Sequence, residues 1–355
     1  MQLEDLGWNP YFENYRVEKN YSRNNIGRVV AEYKHLYKVY TENGEYVAEV
    51  TGKLRHQATN RAMFPAVGDW VVVQELVGEA KTLIHEVLPR QSKFSRKVAG
   101  AVIEEQIVAS NVDTMFLVNA LNHDFNVRRI ERALILAWEG GAQPVIILSK
   151  GDLCDDIASK ISEVESVALG VPIHVITAVE EDGCTAVCEY IQPGKTIALV
   201  GSSGVGKSTL INRILGVELQ RVNEVREGDD RGKHTTTHRQ LLLIPEGGLI
   251  MDTPGMRELQ LWDADEGVTS TFDDIDRLVT QCRFNDCNHN NEPGCAIRAA
   301  LTTGELEQSR YNNFLKMNKE LAYINNKVAG SLRSEQKHKG KQMSTYQKTK
   351  YKEIY

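Results

Sequence analysis

The chain has no apolar run approaching the roughly 18 residues that a membrane span requires. Its start, Met1-Gln2-Leu3-Glu4-Asp5, has neither the basic opening nor the apolar stretch of a secretory signal. No membrane association is expected, and the protein reads as cytoplasmic. Cysteine is sparse, six in 355 residues, which fits a reducing compartment. Cys154, Cys184 and Cys188 are scattered and read as buried small hydrophobes, whereas the other three crowd beside a histidine. No internal repeat is visible. A large charge excess is also lacking: the net charge of −6 argues against indiscriminate nucleic-acid binding. That total hides an asymmetry, because Lys327 to Tyr355 hold eight Lys or Arg against two Glu. This basic tail, with Tyr346 and Tyr351 interspersed, either reaches phosphate backbones or is a solvated end.

What is present is ordinary for a soluble globular protein: 41% hydrophobic and 25% charged residues. At about 100 to 200 residues per domain, two or three domains are expected. The chain is expected to divide into an N-terminal extension (1–27), a β-barrel (28–95), an α/β nucleotide-binding domain (96–265), a metal-binding helical module (266–326) and the basic tail (327–355). In the β domain, Val39 and Thr41 lead into Asn43-Gly44, a hairpin signal, and Tyr46 to Val50 return, with a further strand at Trp70 to Val73. An OB-fold or an SH3-like barrel suits this pattern. Its basic exit, Arg90, Lys93, Arg96 and Lys97 around Phe94, reads as an RNA contact or a solvated loop. From about Asp113, apolar runs alternate with helical stretches, as in a parallel sheet covered on both faces. The candidate strands are Thr114 to Val118, Val145 to Leu148, Ile173 to Ile176, Ile197 to Val200 and Leu249 to Met251. Later, Thr302 and Glu305 stand in capping-box spacing ahead of Leu306, Phe314, Leu321 and Ile324, predicting a helix.

Between a predicted strand and a helix-forming run lies Gly201-Ser202-Ser203-Gly204-Val205-Gly206-Lys207-Ser208-Thr209, a full phosphate-loop pattern. Its backbone N–H groups would curl around a β-phosphate, Lys207 would meet the β- and γ-phosphates, and the Ser208 hydroxyl would face Mg²⁺. Asp252-Thr253-Pro254-Gly255 follows an apolar run, so Asp252 can reach the Mg²⁺ shell and the Gly255 N–H the γ-phosphate. Between them, Gly232-Lys233-His234-Thr235-Thr236-Thr237 offers hydroxyls, of which Thr236 is chosen to complete Mg²⁺ coordination.

Upstream of the phosphate loop, Ser149-Lys150-Gly151-Asp152 and Thr177-Ala178 each follow a predicted strand. The Asp152 carboxylate can accept from guanine N1–H and the exocyclic amine, donors that adenine lacks. Lys150 would pack its stem over the base, and the Ala178 N–H would meet guanine O6. The order is therefore base motif, second base contact, phosphate loop, switch I, switch II, a circular permutation of the usual GTPase. Switch II then feeds directly into the C-terminal module, which gives a γ-phosphate-driven movement a short covalent path there. That module carries Cys282, Cys287, His289 and Cys295 as C-x4-C-x-H-x5-C, a Cys₃His set suited to structural, tetrahedral zinc.

These motifs, spread over roughly Leu88 to Cys295, resemble the circularly permuted ribosome-biogenesis GTPases of the RsgA (YjeQ) family. One departure is Ser149, where the usual base motif has Asn or Thr; it is expected to cost hydrogen bonding to the base. Met256 stands where many GTPases carry a water-orienting Gln. Unassisted hydrolysis is thus expected to be slow, on the order of 10⁻⁴ to 10⁻² per second, with His234 the candidate to position water and Lys207 and Thr236 its catalytic companions. The resemblance implies an OB-fold barrel, GTP and GDP as ligands, and the small ribosomal subunit with its rRNA as partner, in late maturation. A monomer is expected. Two other readings are an ATP-dependent enzyme, against which Asp152 argues, and a zinc-dependent RNA-binding scaffold with weak nucleotide turnover, against which Lys207, Ser208 and Asp252 argue.

Overall fold

The computed structural model describes residues 1–34, 36–76, 78–98, 104–177, 183–216, 239–245, 247–252 and 265–323. Five strands form the N-terminal barrel: β1 (Ile26–Glu32), β2 (Tyr37–Thr41), β3 (Gly44–Val50), β4 (Trp70–Glu75) and β5 (Lys81–Val87). They close in the order β1-β2-β3-β5-β4-β1, with β3 and β5 parallel and the other pairs antiparallel. This is an OB-fold barrel. The alternation of β2 turns Tyr37, Val39 and Thr41 inward, and Val29, Val39, Ala48, Val71, Val73 and Ile84 fill the interior. The hairpin forms one position earlier than the Asn-Gly signal, because Thr41 pairs with Gly44 and leaves Glu42 and Asn43 as the turn.

The N-terminal extension is part of this structure. Asn9 caps α1 (Pro10–Glu18), accepting from Tyr11 N, and Trp8 and Phe12 pack on the buried Trp70. Arg28, 1% exposed, donates to Leu6 O, to Gly68 O at 3.2 Å and to Asn111 O at 3.0 Å. One guanidinium thus ties the extension, the barrel and the next domain together. Burial pushes its pKa down to about 10, so it stays charged at neutral pH.

The barrel carries a short helix, α2 (Gly52–Gln57), between β3 and β4. After it, β6 (Lys93–Val98) and β7 (Glu104–Ser110) form a separate hairpin. The expected basic exit is largely structural. Arg90 grips the buried Asp69 at 2.7 and 2.6 Å and donates to Ala62 O and Phe64 O, and Phe94 is buried.

The second sheet contains β8 (Thr114–Ala120), β9 (Gln143–Ser149), β10 (Ile173–Ile176), β11 (Thr196–Val200), β12 (Arg239–Leu243) and β13 (Leu249–Asp252). Its order is β10-β9-β8-β11-β13-β12, all parallel except β12. All five expected strands are present; the apolar runs of β8, β9, β11 and β13 are buried on both faces, whereas the edge strand β10 is only partly buried. Helices α3 (Val127–Glu139), α4 (Ile157–Glu165), α5 (Thr185–Cys188) and α6 (Lys207–Leu215) connect them. Of the scattered cysteines, Cys184 is buried as expected, but Cys188 is exposed at the end of α5. Beyond β13 in the sheet order, β12 also pairs with β1 through Ala31↔Gln240 and Glu32↔Arg239, which joins the barrel to the sheet.

The C-terminal module holds α7 (Asp265–Thr271), α8 (Asp273–Thr280), α9 (Ala296–Thr303) and a helix over 308–323. The capping box does not form: Thr302 lies inside α9, where its hydroxyl donates to Arg298 O at 2.8 Å. Gly304, in the left-handed region, ends α9. Ile135 of α3 packs with Val268, Phe272, Ile275, Ile297, Leu306 and Leu321 of the module. Among the described residues no helix is long and apolar enough to cross a membrane.

Candidate functional site

Ser149 to Asp152, Thr177, the phosphate loop and Asp252 lie at the carboxyl ends of β9, β10, β11 and β13, where open parallel sheets bind ligands. The phosphate loop leaves β11 and enters α6 at Gly206. Gly201 passes so close to β8 that a Cβ would lie 2.3 Å from Val118 O. The Lys207 ammonium bends back over the loop, donating to Gly201 O at 2.7 Å and Ser202 O at 2.6 Å. Ser208 and Thr209 follow in the first turn of α6, partly buried, so the helix N-terminus faces the cradle.

The base motif sits two strands away, at the end of β9 across β8. Ser149 ends β9, is 2% exposed, and its hydroxyl donates to Val205 O at 2.6 Å. The hydroxyl therefore fastens the base motif to the phosphate loop. Lys150 takes a left-handed backbone, φ 59°, rare for a residue with a Cβ and common where a loop is held for function. Gly151 is needed for packing, since a Cβ there would meet Val175 Cγ1 at 2.9 Å and Thr177 Oγ1 at 3.4 Å. Ser149 pairs with Ile176 in parallel register, which sets Thr177 beside the motif. Asp152 is exposed at the mouth of the site. Asp252 ends β13, next but one to β8 across β11. Ala178, His234, Thr236, Gly255 and Met256 lie outside the described residues, as does the basic tail.

A further loop, which matches no motif, lines the site: Asn122 to Asn126, between β8 and α3. Arg129, in the first turn of α3, holds Asp124 at 2.7 and 2.6 Å and donates to Ser202 Oγ at 2.9 Å. The Arg129 guanidinium keeps the Asp124 carboxyl below the usual carboxylate range, with smaller contributions from His123 and Lys150. The only sequence signal was the position of this loop after a buried strand. That β8 lies between β9 and β11 emerges only from the folded sheet.

Cys282, Cys287, His289 and Cys295 bring their ligand atoms within 4.8 Å of one another. The His289 Nδ1 lies 3.6 Å from Cys282 Sγ and 3.5 Å from Cys295 Sγ. Tetrahedral zinc with ordinary Zn–S and Zn–N bonds would separate such atoms by about 3.6 Å, so the donor set fits a metal ion. Burial raises the Cys282 thiol, but hydrogen bonds from backbone groups of Ala296 and Ile297 and from the neighbouring thiols outweigh it, and the net shift is downward. This favours a thiolate at Cys282, whereas burial pushes the neighbouring Cys287 thiol up to about 11.

Residues 87–262 match the RsgA GTPase family model. A match to the ABC transporter model over residues 185–351 takes in the phosphate loop common to both kinds of nucleotide-binding protein. The small ribosomal subunit biogenesis GTPase RsgA 1 of Oceanobacillus iheyensis is 47% identical over 337 residues, 94% of this chain and 96% of the relative. The small ribosomal subunit biogenesis GTPase RsgA of Opitutus terrae is 44% identical over 342 residues, 92% of each chain. The crystal structure of YjeQ from Thermotoga maritima matches with a TM-score of 0.62 at 31% identity, over 84% of this chain and 98% of that one. YloQ, described as a circularly permuted GTPase, shares the fold with a TM-score of 0.59 at 24% identity, over 84% of this chain and 94% of that one. With base motif ahead of phosphate loop on one parallel sheet, and near-complete relatives of one kind, the chain belongs to the RsgA family of circularly permuted GTPases and is a GTP hydrolase.

Proposed function

We propose that this GTPase binds the small ribosomal subunit, uses GTP to hold a subunit-bound state during late maturation, and leaves after hydrolysis to GDP and phosphate. The observation that carries the nucleotide part is the Ser149 bond to Val205 O, 2.6 Å long, which fastens a base motif to a phosphate loop. The subunit part rests on the relatives, named as small ribosomal subunit biogenesis GTPases at 47% and 44% identity over most of the chain. An OB-fold barrel, a metal module and a basic tail flanking the nucleotide domain suit an rRNA surface. The protein acts as a cytoplasmic monomer in this reading.

Asp152 and Lys150 select guanine, Ala178 meets its O6, and the phosphate-loop N–H groups with Lys207 hold the β- and γ-phosphates. Ser208, Thr236 and Asp252 would hold Mg²⁺, which supplies charge neutralisation across the phosphates when bound. His234 positions the attacking water, a role assigned from its place beside Thr236 and from the family. Cys282, Cys287, His289 and Cys295 would hold one structural zinc with no open position. With Met256 in place of a polar residue, the isolated protein turns over slowly until the subunit completes the site.

The test is GTP and ATP hydrolysis by purified protein, alone and with isolated small subunits, over a salt series. GTP-specific turnover that rises strongly with subunits is expected. Turnover indifferent to subunits would remove the partner, equal rates with ATP would remove the base assignment, and none under any condition would leave a scaffold.

A further inference from the structure

Ser202, the second residue of the phosphate loop, is gripped from two directions. Its carbonyl accepts from Lys207 Nζ at 2.6 Å, and its hydroxyl accepts from Arg129 Nη1 at 2.9 Å. Arg129 in turn is aimed by Asp124, which accepts from both of its terminal nitrogens at 2.7 and 2.6 Å. The helix beneath it is firmly anchored. Asn126 caps α3 by accepting from Arg128 N, Ile130 and Leu134 are buried under the sheet, and the neighbouring Arg128 and Arg132 bind Ser309 and Glu320 of the C-terminal module.

Arg129 itself is 45% exposed in its side chain, unlike the buried Arg28, so the core does not depend on it. A charged residue on a rigid helix, oriented by its own carboxylate and bound to a phosphate-loop hydroxyl, has the arrangement of a preorganising contact. A cradle of converging N–H groups loses affinity if its loop must be ordered at the moment of binding, and a contact that fixes the loop beforehand lowers that cost.

We propose that Arg129, oriented by Asp124, is a positioning residue that holds the phosphate loop in its nucleotide-receiving shape. The proposal deepens the nucleotide-binding reading above and rests on it. Because Arg129 holds Ser202 and not the γ-phosphate, it stabilises the GDP and GTP complexes alike and leaves the chemical step unchanged. That is the signature of uniform binding.

The experiment uses full-length protein and fluorescent GDP and GTP analogues, with R129A, S202A and the double variant. R129A should weaken both nucleotides by a similar factor, about three- to tenfold for one hydrogen bond. The hydrolysis rate constant of pre-bound GTP should stay within about twofold of wild type, as expected when only uniform binding is lost. S202A should weaken binding as well, and the double variant should be no weaker than the worse single, since both remove one contact. Unchanged affinity in R129A, multiplying effects in the double, or a slowed single turnover at unchanged affinity would each overturn the assignment. Melting of the nucleotide-free variants controls for folding. If wild type binds neither nucleotide, the nucleotide reading itself falls; if it binds both and R129A matches it, only the Arg129 role falls.

Discussion

At position 149 a small hydroxyl stands where the usual motif carries a longer side chain, and it spends its proton on Val205 O at 2.6 Å. Whatever this position contributes to the base, its hydroxyl ties the base-motif loop to the phosphate loop. Ser149→Ala should leave that carbonyl without this donor at a cost of about 1 kcal/mol, lowering GDP affinity about fivefold; a fluorescent-GDP titration checks it. Asp152→Asn replaces an acceptor by an amide whose NH₂ faces the guanine N–H donors. GTP affinity should fall more than about 100-fold by the unpaired-donor argument, while xanthosine triphosphate, with a carbonyl at that edge, should gain; competition binding decides. These residues were legible because their chemistry lies in consecutive positions. Arg129 and Asp124 were not, since their partner Ser202 is 73 positions from Arg129. Arg90 misled for a related reason: as a sequence it is one more exposed cation, and only the fold supplies the buried Asp69 that it serves.

Helix α3 shows how one element can serve two neighbours. Glu131, fully buried, accepts from Arg128 at 2.7 Å, Arg310 at 2.7 Å and Asn313 at 2.6 Å. Arg310 also grips Asp274 at 2.8 and 2.6 Å. Removing one partner of a buried ionic cluster leaves uncompensated charge, so Glu131→Ala should destabilise by about 3–5 kcal/mol, read as a lower midpoint in urea unfolding. Leu substitutions at both Glu131 and Arg310 should cost less than Glu131→Ala alone, because no fully buried charge is then stranded; Asp274 and Arg128, which each lose a partner, are partly exposed to water. The parallel strands could be read directly, as short apolar runs such as Val145 to Leu148 and Ile197 to Val200, repeated between helical stretches, have few other uses. The β6–β7 hairpin could not, because Lys93, Arg96, Lys97, Glu104 and Glu105 break any alternating pattern. The capping box around Thr302 failed because Gly304, free to take φ 79°, stops α9 and makes Thr302 its last turn rather than the next helix's first.

Across the whole molecule, stability is unevenly distributed. The C-terminal module places polar residues such as Asn285, Asp286, Asn288 and Asn290 around its ligands, and a bound metal would supply folding energy that those side chains cannot. Chelation should therefore lower helical circular dichroism and open residues 265–323 to protease while the barrel and parallel sheet survive. Equal protection with and without chelator would mean that the Cys₃His cluster is not a structural metal centre. At the β12 edge of the sheet, the pairing of β12 with β1 covers a row of backbone donors and acceptors that would otherwise be open. An unpaired outer strand of this kind is a template for stacking chains against one another. The barrel is thus also a cap on its neighbour's flank: a shortened chain lacking residues 1–90 would keep every nucleotide motif and still be prone to self-association, sticky along the side where β1 had lain.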